Sequence, residues 1–318
     1  MKITVIGPGR WGSCITWYLN KIGHDVTLYG RASSNAIRGY LSGGKGEYVD
    51  LPESVKITTD LQEVKGAEVI VVSIPSQSLS GLMEELRALD LNDKIFVLCM
   101  KGIDVSTGKR LSEIVEEKTS ASNRVAVWLG PGHVQEFYRG VPNCMVIDSR
   151  DERVKEKLVS EFSGDLIRFY YGNDVIGNEI GAAAKNVIGI AAGILDGLDL
   201  GTLKGALMSR GTREIARLIS AMGGNELSAY GLCHLGDYEA TVFSEYSHNR
   251  RFGEAFARGE SFNKLAEGYY TVKALKKMGE DLNVDLPICN AVYHVLYSGV
   301  PVKEALLGLF SRSQKLEF

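Results

Sequence analysis

The sequence predicts an α/β fold: an open, mostly parallel sheet covered by helices, followed by an all-helical C-terminal domain. Three observations predict it. Short apolar runs alternate with helix-period stretches through the first half of the chain. A glycine-rich turn, Gly7-Pro8-Gly9-Arg10-Trp11-Gly12, joins the first apolar run to the first helix pattern. Beyond Asn173 strand signals fade and long helix patterns run to the end. The expected division is a dinucleotide-binding domain over residues 1–172 and a helical substrate and catalytic domain over 173–318. The junction is short, so the two are expected to share a cleft.

Element by element, strands are expected at residues 2–6, 25–29, 69–73, 95–99, 125–129, 144–147 and 166–171. The early ones are almost purely apolar, as parallel strands covered on both faces must be. Helix patterns such as 11–22 and 108–118 lie between them. The later helices are expected at 174–198, 203–222, 269–283, 291–298 and 302–310.

At 318 residues, 45% hydrophobic and 24% charged, the chain can build two ordinary cores. With 36 basic and 39 acidic residues the net charge is −3, which does not suggest a nucleic-acid or membrane-surface partner. No apolar run is expected to reach the roughly 20 residues of a membrane span. Met1-Lys2 enters a strand run at once, so no signal peptide is expected. The five scattered cysteines, with no C-x-x-C pair, suit a reducing, cytoplasmic setting and argue against a metal site.

Gly7, Gly9 and Gly12 fit G-x-G-x-x-G in the context that gives the motif meaning, directly after a strand and opening a helix. Gly7 permits the tight turn and Gly9 lets backbone approach a pyrophosphate. Gly12 lets helix pack on strand, with the helix N-terminus facing the phosphates. The second strand ends Leu28-Tyr29-Gly30-Arg31-Ala32-Ser33-Ser34, without the acid that usually holds an NAD ribose. Arg31 and the serines favour NADP(H), with NAD(H) still possible; Arg31 can instead stack on adenine without discriminating. Lys101 in Met100-Lys101-Gly102 follows an apolar strand, where loops line the ligand crevice, and is otherwise a solvated loop lysine. His133, in Leu129-Gly130-Pro131-Gly132-His133, is a ligand contact or a capping histidine.

One lysine stands apart. Between Ile180 and Leu195 the only polar side chains are Lys185 and Asn186, and burying an unpartnered ammonium costs several kcal/mol. Gly181, Lys185, Gly189 and Gly193 are four apart, one row on a helix, where a backbone or ligand can come close. Either the lysine is functional, or the row is a small-residue packing seam whose lysine snorkels to water. Further on, Asp237 after Gly236 reads as a helix cap without more context. Ser247-His248-Asn249-Arg250-Arg251 offers several donors for a phosphate or carboxylate, or else forms a polar surface loop. Cys233-His234 just before Gly236-Asp237 has no evident purpose.

The order of these motifs resembles the NAD(P)-dependent glycerol-3-phosphate dehydrogenase family of bacterial and archaeal type, over nearly the whole chain. The resemblance rests on Gly7 to Gly12, Lys101-Gly102, Gly130-Pro131 with His133, Gly181 with Lys185-Asn186, and Asp196-Gly197. It continues through Arg210-Gly211, Gly236-Asp237 with Thr241, Asn249-Arg250-Arg251-Phe252-Gly253, and Glu267-Gly268. It implies a Rossmann domain, a helical domain, and a phosphorylated three-carbon substrate in the cleft between them. By the same resemblance Lys185 is the catalytic acid or base, Asp237 supports it, and Lys101 joins them. Gly7, Gly9, Arg10, Trp11, Gly12, Arg31, Lys101, Val134 and Glu267 are implied cofactor contacts. Lys101, Gly130, Gly132, Asn186, Thr241, Ser247, His248 and Asn249 are implied substrate contacts. A homodimer is the expected assembly, with no metal.

The chain departs from the family pattern near the implied pocket. His248 stands where arginine is usual, and histidine is shorter, partly charged and unable to fork onto a phosphate. Gly132 replaces a serine, Tyr238 a leucine, Val242 a cysteine and Ser209 a threonine. Arg250 or Arg251 are candidates to replace the lost charge. The expected function is therefore glycerol-3-phosphate dehydrogenase. Two other readings fit the same residues: a related reductase for another small anionic hydroxy or keto compound, and a non-catalytic NADP(H)-binding protein.

Overall fold

The structure, a computed structural model, describes residues 1–43, 46–314 and 316–317. Among these the N-terminal part holds eight strands in one sheet: β1 (Lys2–Ile6), β2 (Asp25–Tyr29), β3 (Lys56–Thr58), β4 (Val69–Val72), β5 (Ile95–Leu98), β6 (Arg124–Leu129), β7 (Asn143–Ser149) and β8 (Ile167–Tyr171). The order across the sheet is β3-β2-β1-β4-β5-β6-β7-β8, and every pair is parallel except β6 with β7. Six helices accompany the strands: α1 (Arg10–Lys21), α2 (Asn35–Leu41), α3 (Leu79–Arg87), α4 (Leu111–Lys118), α5 (Val134–Tyr138) and α6 (Glu152–Phe162). Six more follow: α7 (Val175–Gly197), α8 (Lys204–Ala221), α9 (His248–Arg258), α10 (Glu267–Asp281), α11 (Pro287–Tyr297) and α12 (Val302–Phe310).

The chain forms two compact units. One comprises residues 1–101 and 109–179; the other comprises 102–108 and 180–318. In the first, β1, β4 and β5 are buried almost end to end, which is why their sequences lack alternation. The chain reverses direction across the sheet between β1 and β4. That reversal creates a crevice at the strands' carboxyl ends, the usual ligand position of an open α/β sheet. Toward the far edge, Trp128, Phe162 and Phe169 pack as tilted and edge-on rings 5.0–5.6 Å apart, and the Tyr18 hydroxyl donates to the Phe162 carbonyl at 2.6 Å.

Three expectations need correction. The strand β3 was not legible: three residues, Lys-Ile-Thr, added at the sheet edge by backbone pairing with β2 carry no periodic signal. The polar stretch 247–251 is not a surface loop, because Ser247 caps an eleven-residue helix, α9, that ends at Gly259 in the left-handed conformation. And α7, at 23 residues, is long and apolar enough to cross a membrane by length and composition. In its most apolar window 83% is buried inside the protein, so it is a core helix here.

Tertiary contacts tie down the start of α7. Asp148 of β7 accepts hydrogen bonds from the Asp174 backbone (2.9 Å) and the Asn178 amide (2.8 Å). Glu179 accepts from the Ser112 backbone, the Ser112 hydroxyl and Arg110 at 2.9, 2.6 and 2.7 Å, which satisfies the N-terminus of α4 as well. Burial raises the carboxyl pKa of Asp148 and Glu179, opposed by these donors.

Candidate active site

The glycine loop lies at the crevice of the first unit. Gly7 has φ +113°, and a Cβ there would fall 2.2 Å from the Ser73 carbonyl oxygen at the end of β4. A Cβ on Gly12 would fall 1.9 Å from the Gly7 carbonyl, so α1 can seat on the loop only with glycine there. Gly9 differs: nothing lies within 4 Å of its Cβ position. It caps α1, whose first turn has neither a side-chain cap nor an acidic residue. Uncapped N–H groups beside an open backbone position fit a dinucleotide pyrophosphate. Arg10 and Trp11 begin that helix half-buried, with Trp11 6.0 Å from the Phe137 ring.

Lys101, after β5, donates to the Gly130 carbonyl after β6 at 2.7 Å, so these two predicted residues do come together. Gly132 has φ +150°, and a side chain there would strike the Phe137 ring at 2.4 Å, which accounts for glycine in place of serine. His133 and Val134 are buried, and the Val134 side chain joins the hydrophobic core, so any ligand contact it makes is through backbone. Arg31 is exposed and ion-paired with Glu85 of α3, a partner the sequence did not suggest.

In the second unit the lysine is buried. Lys185 is 7% exposed and does not snorkel to water. Its Nζ lies 2.9 Å from Asp237 Oδ2 and donates to Thr241 Oγ1 at 2.6 Å. Asp237 ends a single 3-10 turn, Leu235–Asp237, and Thr241 sits in the π-helical turn Glu239–Phe243 that follows. Such a turn re-aims side chains over a short span and recurs at functional sites. The glycine row is also a packing seam. A Cβ on Gly189 would meet Thr241 at 2.7 Å, and one on Gly193 would meet the Arg250 carbonyl at 1.8 Å. Small residues bring this segment against α7, and the lysine in the same row meets what it carries.

Beside it, the Asn249 amide donates to Asn186 Oδ1 at 3.0 Å while its own oxygen accepts from the Gly268 backbone at 2.9 Å. Asn186, Asn249 and the start of α10, where Glu267 is half-buried, thus form one polar chain. The Ser247 hydroxyl caps α9 by accepting from the Arg250 backbone at 3.3 Å. His248 contacts the Leu265 carbonyl through Nδ1 at 3.2 Å. Arg250 does not replace the missing arginine: it pairs with Asp196 at 2.5 Å and Glu254 at 3.2 Å, with Lys204 completing the cluster on Asp196 at 2.6 Å. Arg251 is exposed. Ser209 is exposed on α8, bonded to Arg210, and stands apart from the buried lysine cluster.

His234 now has an account. It is fully buried, with Nδ1 2.8 Å from the Gly181 carbonyl and Nε2 2.7 Å from the Tyr238 hydroxyl. Burial pushes its pKa down to about 4, aided by the nearby Lys185 charge. The only forewarning was a Cys-His pair with no evident purpose.

Family models described as the NAD-dependent glycerol-3-phosphate dehydrogenase N-terminus and C-terminus match residues 2–155 and 174–307. The chain belongs to the NAD-dependent glycerol-3-phosphate dehydrogenase family. It is similar to the glycerol-3-phosphate dehydrogenase [NAD(P)+] of Pelodictyon phaeoclathratiforme, 38% identical over 100% of this chain and 99% of that one. The enzyme of the same name from Thermoanaerobacter sp. is 36% identical over 100% and 99%. Among solved structures, glycerol-3-phosphate dehydrogenase of Coxiella burnetii superposes with a TM-score of 0.92 at 26% identity, covering 98% of this chain and 99% of that one. The Rossmann-type sheet followed by a helical domain is therefore the family's architecture.

Proposed function

We propose that this family member is an NAD(P)-dependent glycerol-3-phosphate dehydrogenase, interconverting dihydroxyacetone phosphate and sn-glycerol 3-phosphate. The observation that carries the reading is the buried ammonium of Lys185, held between Asp237 at 2.9 Å and Thr241 at 2.6 Å. An ammonium has three N–H donors. Asp237 and Thr241 each engage it and hold the Nζ in place. Bound NAD(P)H supplies the hydride. As a ketone oxygen gains negative charge, Lys185 stabilises it and gives it a proton; in the reverse direction neutral Lys185 takes the alcohol proton. Asp237 keeps the ammonium from being an isolated buried charge. Lys101, Asn186 and Asn249 are the proposed substrate-orienting donors, with Ser247 and His248 at the N-terminus of α9 toward the phosphate.

Residues 1–172 serve as the dinucleotide domain and 173–318 as the substrate domain in this reading, supported by the change from strands to helices after β8. Assembly as a homodimer is supported by the exposed apolar side chains of α12, Leu307 at 68% and Phe310 at 67%. Light scattering that returned the 34.7 kDa monomer would remove it.

The deciding experiment is NADPH oxidation by the purified protein with dihydroxyacetone phosphate as sole ketone and NADH run in parallel. Turnover of roughly 1 per second or faster is expected, falling at least ~100-fold in Lys185→Ala while the fold and NADPH binding persist. An active alanine variant would falsify the assigned mechanism. The engagement of Arg250 elsewhere keeps a second reading in play, the same chemistry on a different small anion. In that case His248→Arg raises activity on dihydroxyacetone phosphate severalfold; little change favours the first reading.

A further inference from the structure

Two buried side chains outside the lysine cluster bracket it. The His234 ring sits over α7 at Gly181, where a Cβ would lie 3.0 Å from His234 Cβ, so glycine admits the ring. A carbonyl oxygen only accepts, so Nδ1 carries the proton in its 2.8 Å contact with Gly181 O. That leaves Nε2 as the acceptor of the Tyr238 hydroxyl at 2.7 Å, the neutral tautomer favoured by burial. Gly181 lies four residues before Lys185, so the imidazole docks on the carbonyl that takes the lysine's backbone N–H in the helix.

At its other end the pair holds the partners of the lysine. Tyr238 is fully buried, follows Asp237 directly, and its carbonyl accepts from the Thr241 backbone at 3.1 Å and the Val242 backbone at 2.6 Å. Its hydroxyl also lies 3.5 Å from Thr212 Oγ1 of α8, and its ring packs edge-on against His234 with centroids 4.9 Å apart. The groups facing this pair are Lys185 and Asp237 on one side and Glu214 and Cys289 on the other.

We propose that His234 and Tyr238 are positioning residues that fix the Lys185–Asp237–Thr241 geometry, clamping the turn that carries Asp237 and Thr241 to the helical turn that carries Lys185. The inference rests on Lys185 being the proton donor. A displaced donor loses rate far more than binding, with ~100-fold typical of an ångström-scale misplacement.

The test measures kcat and KM for dihydroxyacetone phosphate, NADPH affinity, and the Lys185 Nζ pKa by 15N NMR, in wild type, His234→Ala, His234→Asn and Tyr238→Phe. His234→Ala is expected to lower kcat ~100-fold with KM and NADPH affinity within about threefold. His234→Asn, which can still donate to the Gly181 carbonyl, recovers at least tenfold of that loss. Tyr238→Phe keeps the ring volume and lowers kcat about tenfold. The Lys185 pKa shifts by one unit or more in His234→Ala. A folded His234→Ala with kcat within twofold of wild type overturns the proposal, as does a loss that Asn does not relieve. If wild type fails to reduce dihydroxyacetone phosphate, the functional reading falls. The NMR titration then decides the clamp alone: an unchanged Lys185 pKa in both His234→Ala and Tyr238→Phe refutes it.

Discussion

The proposed preference for NADP(H) rests on one exposed side chain, Arg31. Arg31 is the feature of the second strand's end that favours a 2′-phosphate, yet its guanidinium pairs with Glu85, whose carboxylate would repel that phosphate. With both side chains exposed, the pair is worth at most about 1 kcal/mol, so a phosphate can draw the arginine away at small cost. Arg31→Ala is therefore expected to lower kcat/KM for NADPH about tenfold while leaving NADH within twofold. Glu85→Gln should raise the NADPH value by about threefold. Initial rates with the two cofactors check both. Equal losses with NADPH and NADH in Arg31→Ala would mean that the arginine stacks on adenine and does not discriminate. The sequence singles out Arg31 by its place just after the second strand, behind the glycine loop. Glu85 was not legible, because it belongs to a different helix and nothing local links it to the ribose.

The central element is α7, where a packing surface and the proposed proton donor share one row of side-chain positions. The seam is tightest at Gly193, where an added methyl would fall 1.8 Å from the Arg250 carbonyl and 2.8 Å from the Glu254 backbone nitrogen. Neither is a flexible side-chain end, so α9 must move as a unit. Gly193→Ala is expected to destabilise the protein by about 3 kcal/mol, at the upper end of ordinary overpacking. It should also raise KM, because Asn249 rides on α9 and bonds Asn186. Urea unfolding together with steady-state kinetics tests this; wild-type values for both would show that the seam is looser than its contacts imply. The four-residue spacing told of a close approach but not of what approaches. Its partner is a backbone some 57 residues further on, and tertiary pairing of that range leaves no periodic trace. The helix that brings it, α9, did leave one: a Ser cap and a terminal Gly bracket residues 248–258, though four polar residues at its start read as a loop. The clamp of His234 on the Gly181 carbonyl had no such signature, since a backbone acceptor looks the same at every position.

At the scale of the whole molecule, two buried ionisable groups oppose each other across the pH range. Glu214 of α8 is 1% exposed and accepts from the backbone N–H groups of Ile288 and Cys289 at 2.8 and 2.9 Å, capping α11. Burial outweighs those donors and raises its pKa to about 7, against 4.5 for an ordinary glutamate. Between those values the folded state holds a proton that the unfolded chain releases. Its stabilising contribution is therefore complete below pH 4.5 and fades as pH rises through about 7, with a total on the order of 3 kcal/mol. His234 acts in the other sense. Its folded pKa of about 4 lies below the ordinary 6.5, so stability present above 6.5 is lost as pH falls toward 4. The two slopes cancel between pH 4.5 and 6.5, so these groups leave the wild-type profile nearly flat there, and mutation of either one uncovers the slope of the other. Glu214→Gln, already uncharged, is expected to remove the decline up to about pH 7 and to uncover the His234 slope, so that stability rises with pH between 4.5 and 6.5. His234→Asn should uncover the Glu214 slope instead, so that stability falls steadily from about pH 4.5 to about 7. Urea midpoints and m-values at half-unit steps from pH 4.5 to 8.5 measure both. A Glu214→Gln profile parallel to wild type above pH 5 would mean that the carboxyl is ionised in the folded protein, and that the two backbone donors at the head of α11 prevail over burial.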